Sequence, residues 1–168
     1  MPAGPTPEAG TGDDLPSALL GAVASARPVT SLGDDVIRVA SGDLARLARA
    51  ARAAGFEMCS DITAVDYLGK RRTRFEVVVN LLSLSLNRRL RVVASVPEDD
   101  PVVPSLVSVY PGANFPEREV YDMFGIRFEG HPDLTRILMP DDWEGHPLRR
   151  DFGVGAVPVQ FKEAHQVV

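Results

Sequence analysis

The sequence predicts a two-layer α+β domain, with a mixed or mainly antiparallel sheet packed by helices, followed by an extended, irregular C-terminal segment. Three observations carry this reading. Three strand-like runs with period-two alternation lie close together in mid-chain. A helix with a clean apolar stripe precedes them. Proline then punctuates nearly everything beyond residue 97.

Residues 1–14, rich in Pro, Gly and small side chains, are predicted to be a disordered lead-in. The α+β domain is expected over 15–125. It opens with a short helix from Ser17 to Ala26, stopped by Pro28, and a strand from Val36 to Ala40. In the next helix Asp43 is the expected N-cap. Leu44, Leu47, Ala48, Ala51 and Ala54 form the core stripe, and Gly55 follows the last turn. Arg46, Arg49 and Arg52 fall on the other side, where a solvated face explains them better than a phosphate site.

The three strands run from Met58 to Tyr67, Arg74 to Leu82 and Arg89 to Val96. Phe75, Val77, Val79 and Leu81 share one face of the second. Leu90, Val92, Ala94 and Val96 do so in the third. Short polar turns at Gly69-Lys70 and Asn87-Arg88 make these strands a meander with one face packed.

Beyond Pro97 there is room for one short helix. Asn114 is its expected N-cap, Pro116 lies in the first turn, Glu117 comes three residues after the cap, and Gly125 ends it. Val120, Met123 and Phe124 share a face, and Arg118 and Asp122 are spaced as an i,i+4 pair. Residues 126–168 lack any periodicity that would fold alone, yet they carry Phe128, Trp143, Leu148 and Phe152. Disordered tails rarely hold so many large apolar groups, so this stretch is expected to be a docking segment covered by a partner protein.

Composition narrows the function. The chain of 168 residues, 45% hydrophobic and 24% charged, suits one globular domain with a real core. A formal net charge of −5 argues against nucleic-acid binding. No direct membrane insertion is expected: the longest uncharged stretch, Pro101 to Pro116, is broken by four prolines. The N-terminus lacks the basic and apolar regions of a signal peptide. Cys59 is the single cysteine, which excludes an internal disulfide and any metal site built from several thiolates. In its apolar run it reads as a buried, inert thiol. Neither a Gly-x-Gly-x-x-Gly turn nor a P-loop is present.

The stretch Glu117–Asp151 mixes acids with Arg118, Arg127, Arg136, Arg149 and Arg150. It also repeats a motif, Glu129-Gly130-His131-Pro132 and Glu144-Gly145-His146-Pro147. Three readings compete. The two histidines with nearby carboxylates could ligate a divalent metal that activates water, although the spacing matches no metal signature. His131 with Asp133 or Asp142 could form an acid–base pair, although no matching nucleophile is evident. The third reading is preferred: Gly-His-Pro suits tight turns, and mixed charges with Trp143 and Tyr121 suit a protein interface.

The same residues resemble a known family. The run Glu117-Arg118-Glu119-Val120-Tyr121-Asp122-Met123-Phe124-Gly125-Ile126 and then Phe128-Glu129-Gly130-His131-Pro132-Asp133-Leu134 is similar to the signature of the C, or 30 kDa, subunit of bacterial NADH:quinone oxidoreductase, respiratory complex I. Arg136-Ile137-Leu138-Met139 and Asp142 through Phe152 continue it, and Asp61 to Tyr67 and Arg74 to Val78 resemble its strands. Thr135 departs from the family's usual arginine, and Tyr110 and Phe115 stand where tryptophan is common.

The resemblance implies a scaffold subunit of the peripheral arm, with no catalytic residue, cofactor or metal of its own. NAD, FMN, iron–sulfur clusters and quinone would belong to the assembled complex. The C-terminal region would pack on the D subunit, which helps form the quinone site, near the B and I subunits, at the cytoplasmic face of the cell membrane. The residues expected to dock are Glu117, Arg118, Glu119, Tyr121, Asp122, His131, Asp133, Trp143, His146, Arg149 and Arg150. Membrane-bound hydrogenases and ferredoxin-dependent complexes use similar chains. A free-standing metal-dependent hydrolase using His131 and His146 is the alternative from a different class.

Overall fold

The structure, a computed structural model, describes residues 17–31 and 34–153. The lead-in expected over 1–14 and the part of the docking segment from 154 onward lie outside the described residues.

Five strands form one mixed sheet, β1 (Arg27–Ser31), β2 (Asp34–Ala40), β3 (Met58–Asp66), β4 (Phe75–Ser83) and β5 (Arg88–Val96), in the order β1-β2-β5-β4-β3. The expected meander is there: β3, β4 and β5 pair antiparallel in chain order. Strand β2 then joins β5 in parallel, with Ile37 opposite Val92 and Val39 opposite Ala94. The pleat sends Phe75, Val77, Val79 and Leu81 of β4 to the same side as Leu90, Val92, Ala94 and Val96 of β5. There they share one core with Leu19 of α1 (Ser17–Gly21), Leu44, Leu47 and Ala51 of α2 (Leu44–Ala53), and Val120 and Phe124 of α3 (Asn114–Phe124). The opposite side carries Arg38, Glu76, Asn80 and Arg91. Arg38 bonds Glu76 at 2.5 Å, and Arg91 Nε donates to Asn80 Oδ1 at 3.1 Å.

Several elements differ from expectation, each for a physical reason. Helix α1 ends at Gly21 rather than Ala26, and Pro28 lies inside β1 instead of merely stopping a helix. An edge strand tolerates proline because one set of its amides needs no ladder partner. Strands β6 (Val102–Pro104) and β7 (Arg127–Glu129) pair in parallel and carry Val103 and Phe128 into the core. Flanking prolines and a three-residue length hid β6 from the sequence. The ordered fold therefore continues past Gly125. Asp43 does sit at the N-cap of α2, but its carboxylate accepts the Ser25 hydroxyl at 2.6 Å and makes no cap bond. Ala113, not Asn114, is the N-cap of α3, after a 3-10 turn at Pro111–Ala113. Gly55 (φ 95°) and Gly125 (φ 70°) end their helices in the left-handed conformation, as the sequence predicts. Cys59 is half-buried, and burial pushes its thiol up to about 11.

Within the arginine row of α2, Arg46 and Arg49 are exposed, but Arg52 donates to the Val109 carbonyl and lies over the Tyr110 ring. The buried Tyr110 hydroxyl in turn donates to the Phe56 carbonyl at 2.8 Å, stitching the loop before α3 to the end of α2. Tyr110→Phe should leave that carbonyl without its donor and lower stability by about 1–3 kcal/mol in a urea titration. An unchanged midpoint would mean the stitch carries no stability.

Candidate functional site

The C-terminal stretch is not loose. Residues 131–153 form a strap laid along α3, and Asp122 is its main anchor. One carboxylate oxygen of this fully buried residue accepts three consecutive backbone amides, Ile137 (3.0 Å), Leu138 (2.8 Å) and Met139 (2.8 Å). The other accepts Arg136 Nη1 at 2.6 Å. Burial alone would raise this carboxyl, but the amides and the guanidinium outweigh it and hold it below the usual range. Three successive amides converging on one anion let an irregular backbone stay ordered without a ladder.

A second set of bonds caps the C-terminus of α3, where a helix leaves its last carbonyls unpaired. His146 Nδ1 donates to Asp122 O (2.9 Å), Leu148 N to Met123 O (3.0 Å) and Arg149 Nε to Phe124 O (2.5 Å). The arginine also places a cation at the negative end of the helix dipole. Burial lowers the His146 pKa, and its carbonyl partner can only accept, so Nδ1 carries the proton. Gly125 is required here twice over. Its φ is positive, and a Cβ would collide with His146 Nε2 and Arg149 Nη2.

The third anchor ties the strap to the sheet. Arg74, the residue just before β4, grips Asp66 at the end of β3 with two parallel bonds of 3.0 and 2.9 Å. The same guanidinium reaches Glu98 (2.7 Å) and Asp151 (2.8 Å), while Arg150 N donates to Asp66 Oδ2 (2.9 Å). Burial would raise Asp66, but the Arg74 fork and the amides of Arg150 and Leu68 bring it down to about 2.

The expected docking residues divide sharply. Glu117 and Asp122 are fully buried inside the chain and cannot face a partner. Glu117 accepts the Ser105 hydroxyl (2.7 Å) and the Leu106 amide (2.6 Å), and burial pushes it up to about 7. The expected Arg118–Asp122 pair is replaced. Arg118 donates to the carbonyls of Thr135 (3.1 Å) and Arg136 (3.0 Å), and Arg136 takes the carboxylate. The strap wins because its amides and guanidinium satisfy a buried acid more fully than a single arginine would.

His131 Nε2 donates to Asn114 O (3.2 Å), while its Nδ1 accepts Asp133 N–H (3.0 Å). The two histidines of the repeated motif thus sit at opposite ends of α3. Among the described residues, no three His, Cys, Asp or Glu side chains converge as metal ligands. Tyr121 meets the His146 ring edge-on at 6.4 Å. Trp143 stacks on Phe152 at 6.4 Å, and its Nε1 is buried with no acceptor among the described residues. Glu119, Asp133 and Arg150 are exposed, and Arg149 is half-buried. The strap and the start of α3 also present Phe115 (64% exposed), Leu138 (56%) and Leu148 (54%).

Sequence reasoning missed Asp66, Arg74, Asp151 and the structural use of Arg136. One signal was available: Asp66 follows Ile62 and Ala64 on the core alternation of β3, and an acid there calls for a buried cation.

The comparisons with known proteins agree on a family. Residues 37–157 match the family described as respiratory-chain NADH dehydrogenase, 30 Kd subunit. The chain is 55% identical over 109 residues to the NADH-quinone oxidoreductase C subunit of Salinispora tropica, covering 65% of this chain and 44% of that protein. It therefore spans less than half the length of that relative. It is 40% identical over 175 aligned positions to the corresponding C subunit of Mycobacterium sp. (strain KMS), covering 98% of this chain and 76% of that one. Among solved structures it resembles the trypsin-resistant fragment (1-134) of Nqo5, with a TM-score of 0.61, 38% identity, and 66% of this chain and 91% of that one covered. It also resembles a chain of the membrane-bound sulfane sulfur reductase, an archaeal respiratory membrane complex. There the TM-score is 0.73 and the identity 26%, with 89% of this chain and 94% of that one covered.

Two consequences of this geometry can be measured. Asp122→Asn should uncouple Arg136, destabilise the chain by about 3–5 kcal/mol and speed tryptic cleavage at Arg136. Unchanged proteolysis would show that the strap holds without this charge. Glu117 has its folded-state pKa raised to about 7 from 4.5, so its contribution is full below pH 4.5 and is lost as pH rises through 7. That amounts to about 3 kcal/mol, and Glu117→Gln should flatten the pH–stability curve over this window. A slope that survives the substitution would assign it to another group.

Proposed function

The chain belongs to the family of the 30 kDa subunit of respiratory-chain NADH dehydrogenase, whose relatives are named as the C subunit of NADH-quinone oxidoreductase, and we propose that it is a scaffold subunit of such a complex. In this reading it sits in the peripheral arm, on the cytoplasmic face of the membrane. It contributes no catalytic residue or cofactor, and it docks the D subunit, near the B and I subunits, so that electrons pass from NADH to quinone through cofactors held elsewhere. NAD, FMN, iron–sulfur clusters and quinone belong to the other chains.

One observation carries the proposal. The strap is locked in place by Asp122, His146 and Arg149, yet the side chains it holds outward include Leu138 and Leu148, with Phe115 nearby on α3. A rigid backbone presenting apolar groups is suited to binding a partner, because the ordering cost has been met within the chain. Among the described residues no helix is long and apolar enough to cross a membrane, so attachment through other subunits fits. Exposed Glu119, Asp133 and Arg150 would supply a polar rim.

A second reading has specific support. The likeness to a chain of an archaeal sulfane sulfur reductase extends over 89% of this chain, so the same scaffold role in a related respiratory complex is the alternative. The higher identity to the C-subunit relatives favours the NADH-linked complex.

Leu138→Asp, at an exposed position, should leave the fold intact but lower recovery of assembled complex from membranes; Trp143→Ala should lower it too, and there the lost stacking on Phe152 also loosens the strap. Loss of a central apolar anchor typically costs about 2 kcal/mol of binding. Turnover per assembled complex should remain near wild type. Complexes that assemble fully but no longer reduce quinone would sink the scaffold assignment, and a tagged chain that recovers no D subunit would sink the docking partner.

A further inference from the structure

We propose, building on the scaffold reading above, that the strap is matched to a basic surface: its occupant is a segment of another subunit of the same complex that carries lysine or arginine beside an apolar side chain.

Charge along the strap is sorted by sign. Its arginines turn inward: Arg136 is taken by Asp122, while Arg118 of α3 and Arg149 donate to carbonyls of the strap and of the helix end. Its acids turn outward. Asp133, Asp141, Asp142 and Glu144 are exposed, as is Glu119 on α3, and none of the five has a cation partner among the described residues. Arg150 is the exposed exception. Its amide is bonded to Asp66, at the anchor where Asp66, Glu98 and Asp151 surround the single cation Arg74. Even with Arg118, Arg149 and Arg150 set against those five acids, the face stays negative. Elsewhere the surface pairs its signs, as Arg88 does with Asp35 and Arg127 with Asp100.

Three of the free acids share one turn with the exposed leucines. Asp141, Asp142 and Glu144 lie between Leu138 (56% exposed) and Leu148 (54%). Trp143 N–H closes the turn on Pro140 O (3.0 Å), and Arg136 Nη2 holds Gly145 O (3.1 Å). Both ends of the turn meet at Asp122, through the Leu138 amide and His146 Nδ1. Like charges are thus held together on a pinned backbone with no cation to relieve them. That arrangement is unfavourable in the free chain and favours an approaching cation. Apolar contact on Leu138 and Leu148 would exclude water and strengthen the ion pairs beside it. An anionic lipid surface is repelled by the same charges.

The test is photo-cross-linking of the full chain in its native membrane complex, with Leu138→p-benzoylphenylalanine as the probe. The expected adduct joins another subunit within a few residues of a Lys or Arg. Adding Asp142→Lys should cut the yield by about fivefold, roughly what reversing one exposed charge pair removes. Replacing the partner cation nearest the adduct by Glu should then restore the yield, which a misfolded strap would not allow.

Three results overturn the inference while leaving the scaffold reading intact: an adduct to another subunit at a segment without Lys or Arg, a yield unmoved by Asp142→Lys, or a failed rescue. No adduct, or one to residues 154–168 of the same chain or to a second copy, overturns the inference together with the strap as the docking face.

Discussion

The order of the C-terminal third depends on one buried carboxylate. Asp122 faces away from solvent on α3 and gathers three backbone amides and a guanidinium. A segment with no helix or strand periodicity has no internal way to pair its amides, and amides left unpaired at an interior site are costly. The acid supplies the missing acceptor. Once residues 136–139 are fixed, the chain turns back at the correct height for His146, Leu148 and Arg149 to meet the free carbonyls of the same helix. The helix and the strap thus complete each other: one has spare acceptors, the other spare donors.

Three of the four buried acids, Asp66, Asp122 and Glu117, are handled in two different ways. Asp66 and Asp122 each receive an arginine and several amides, and both stay ionised well into the acidic range. Glu117 receives one hydroxyl and one amide. With so little compensation, burial dominates and the proton is held to about neutral pH. The strap is therefore held by charges that are fixed under cellular conditions, whereas the seam between α3 and the segment before it is not. A surface that must present the same face to a partner at all times is better secured by the first kind of lock.

The meander and α2 were legible because alternation and an apolar stripe are local signals, and β3–β5 and α2 follow them within a residue or so. Strand β1 was hidden by Pro28, and the β6–β7 pair by its length of three residues per strand. The docking stretch was legible as a place but not as a mechanism. Its histidines, arginines and acids were recognised as a cluster, yet spacing along the chain says nothing about which carbonyl a strap will reach. Asp122 was paired with Arg118 on helical spacing, a choice that long-range packing reversed in favour of Arg136. Glu117 was expected to dock, and nothing in the local sequence says that Ser105 and Leu106 will be its partners.

The parallel pairing of β2 with β5 bears on how the chain folds as it is made. Strand β2 leaves the ribosome long before β5, with α2, β3 and β4 synthesised between them, and a two-stranded β1–β2 hairpin is marginal alone. The meander, whose contacts are between neighbours in sequence, is free to form first and to offer β5 as a template edge. The N-terminal strands then anneal onto a preformed sheet. Nascent chains that stall before Val96 would expose β2 without its neighbour and would depend on chaperones to remain soluble.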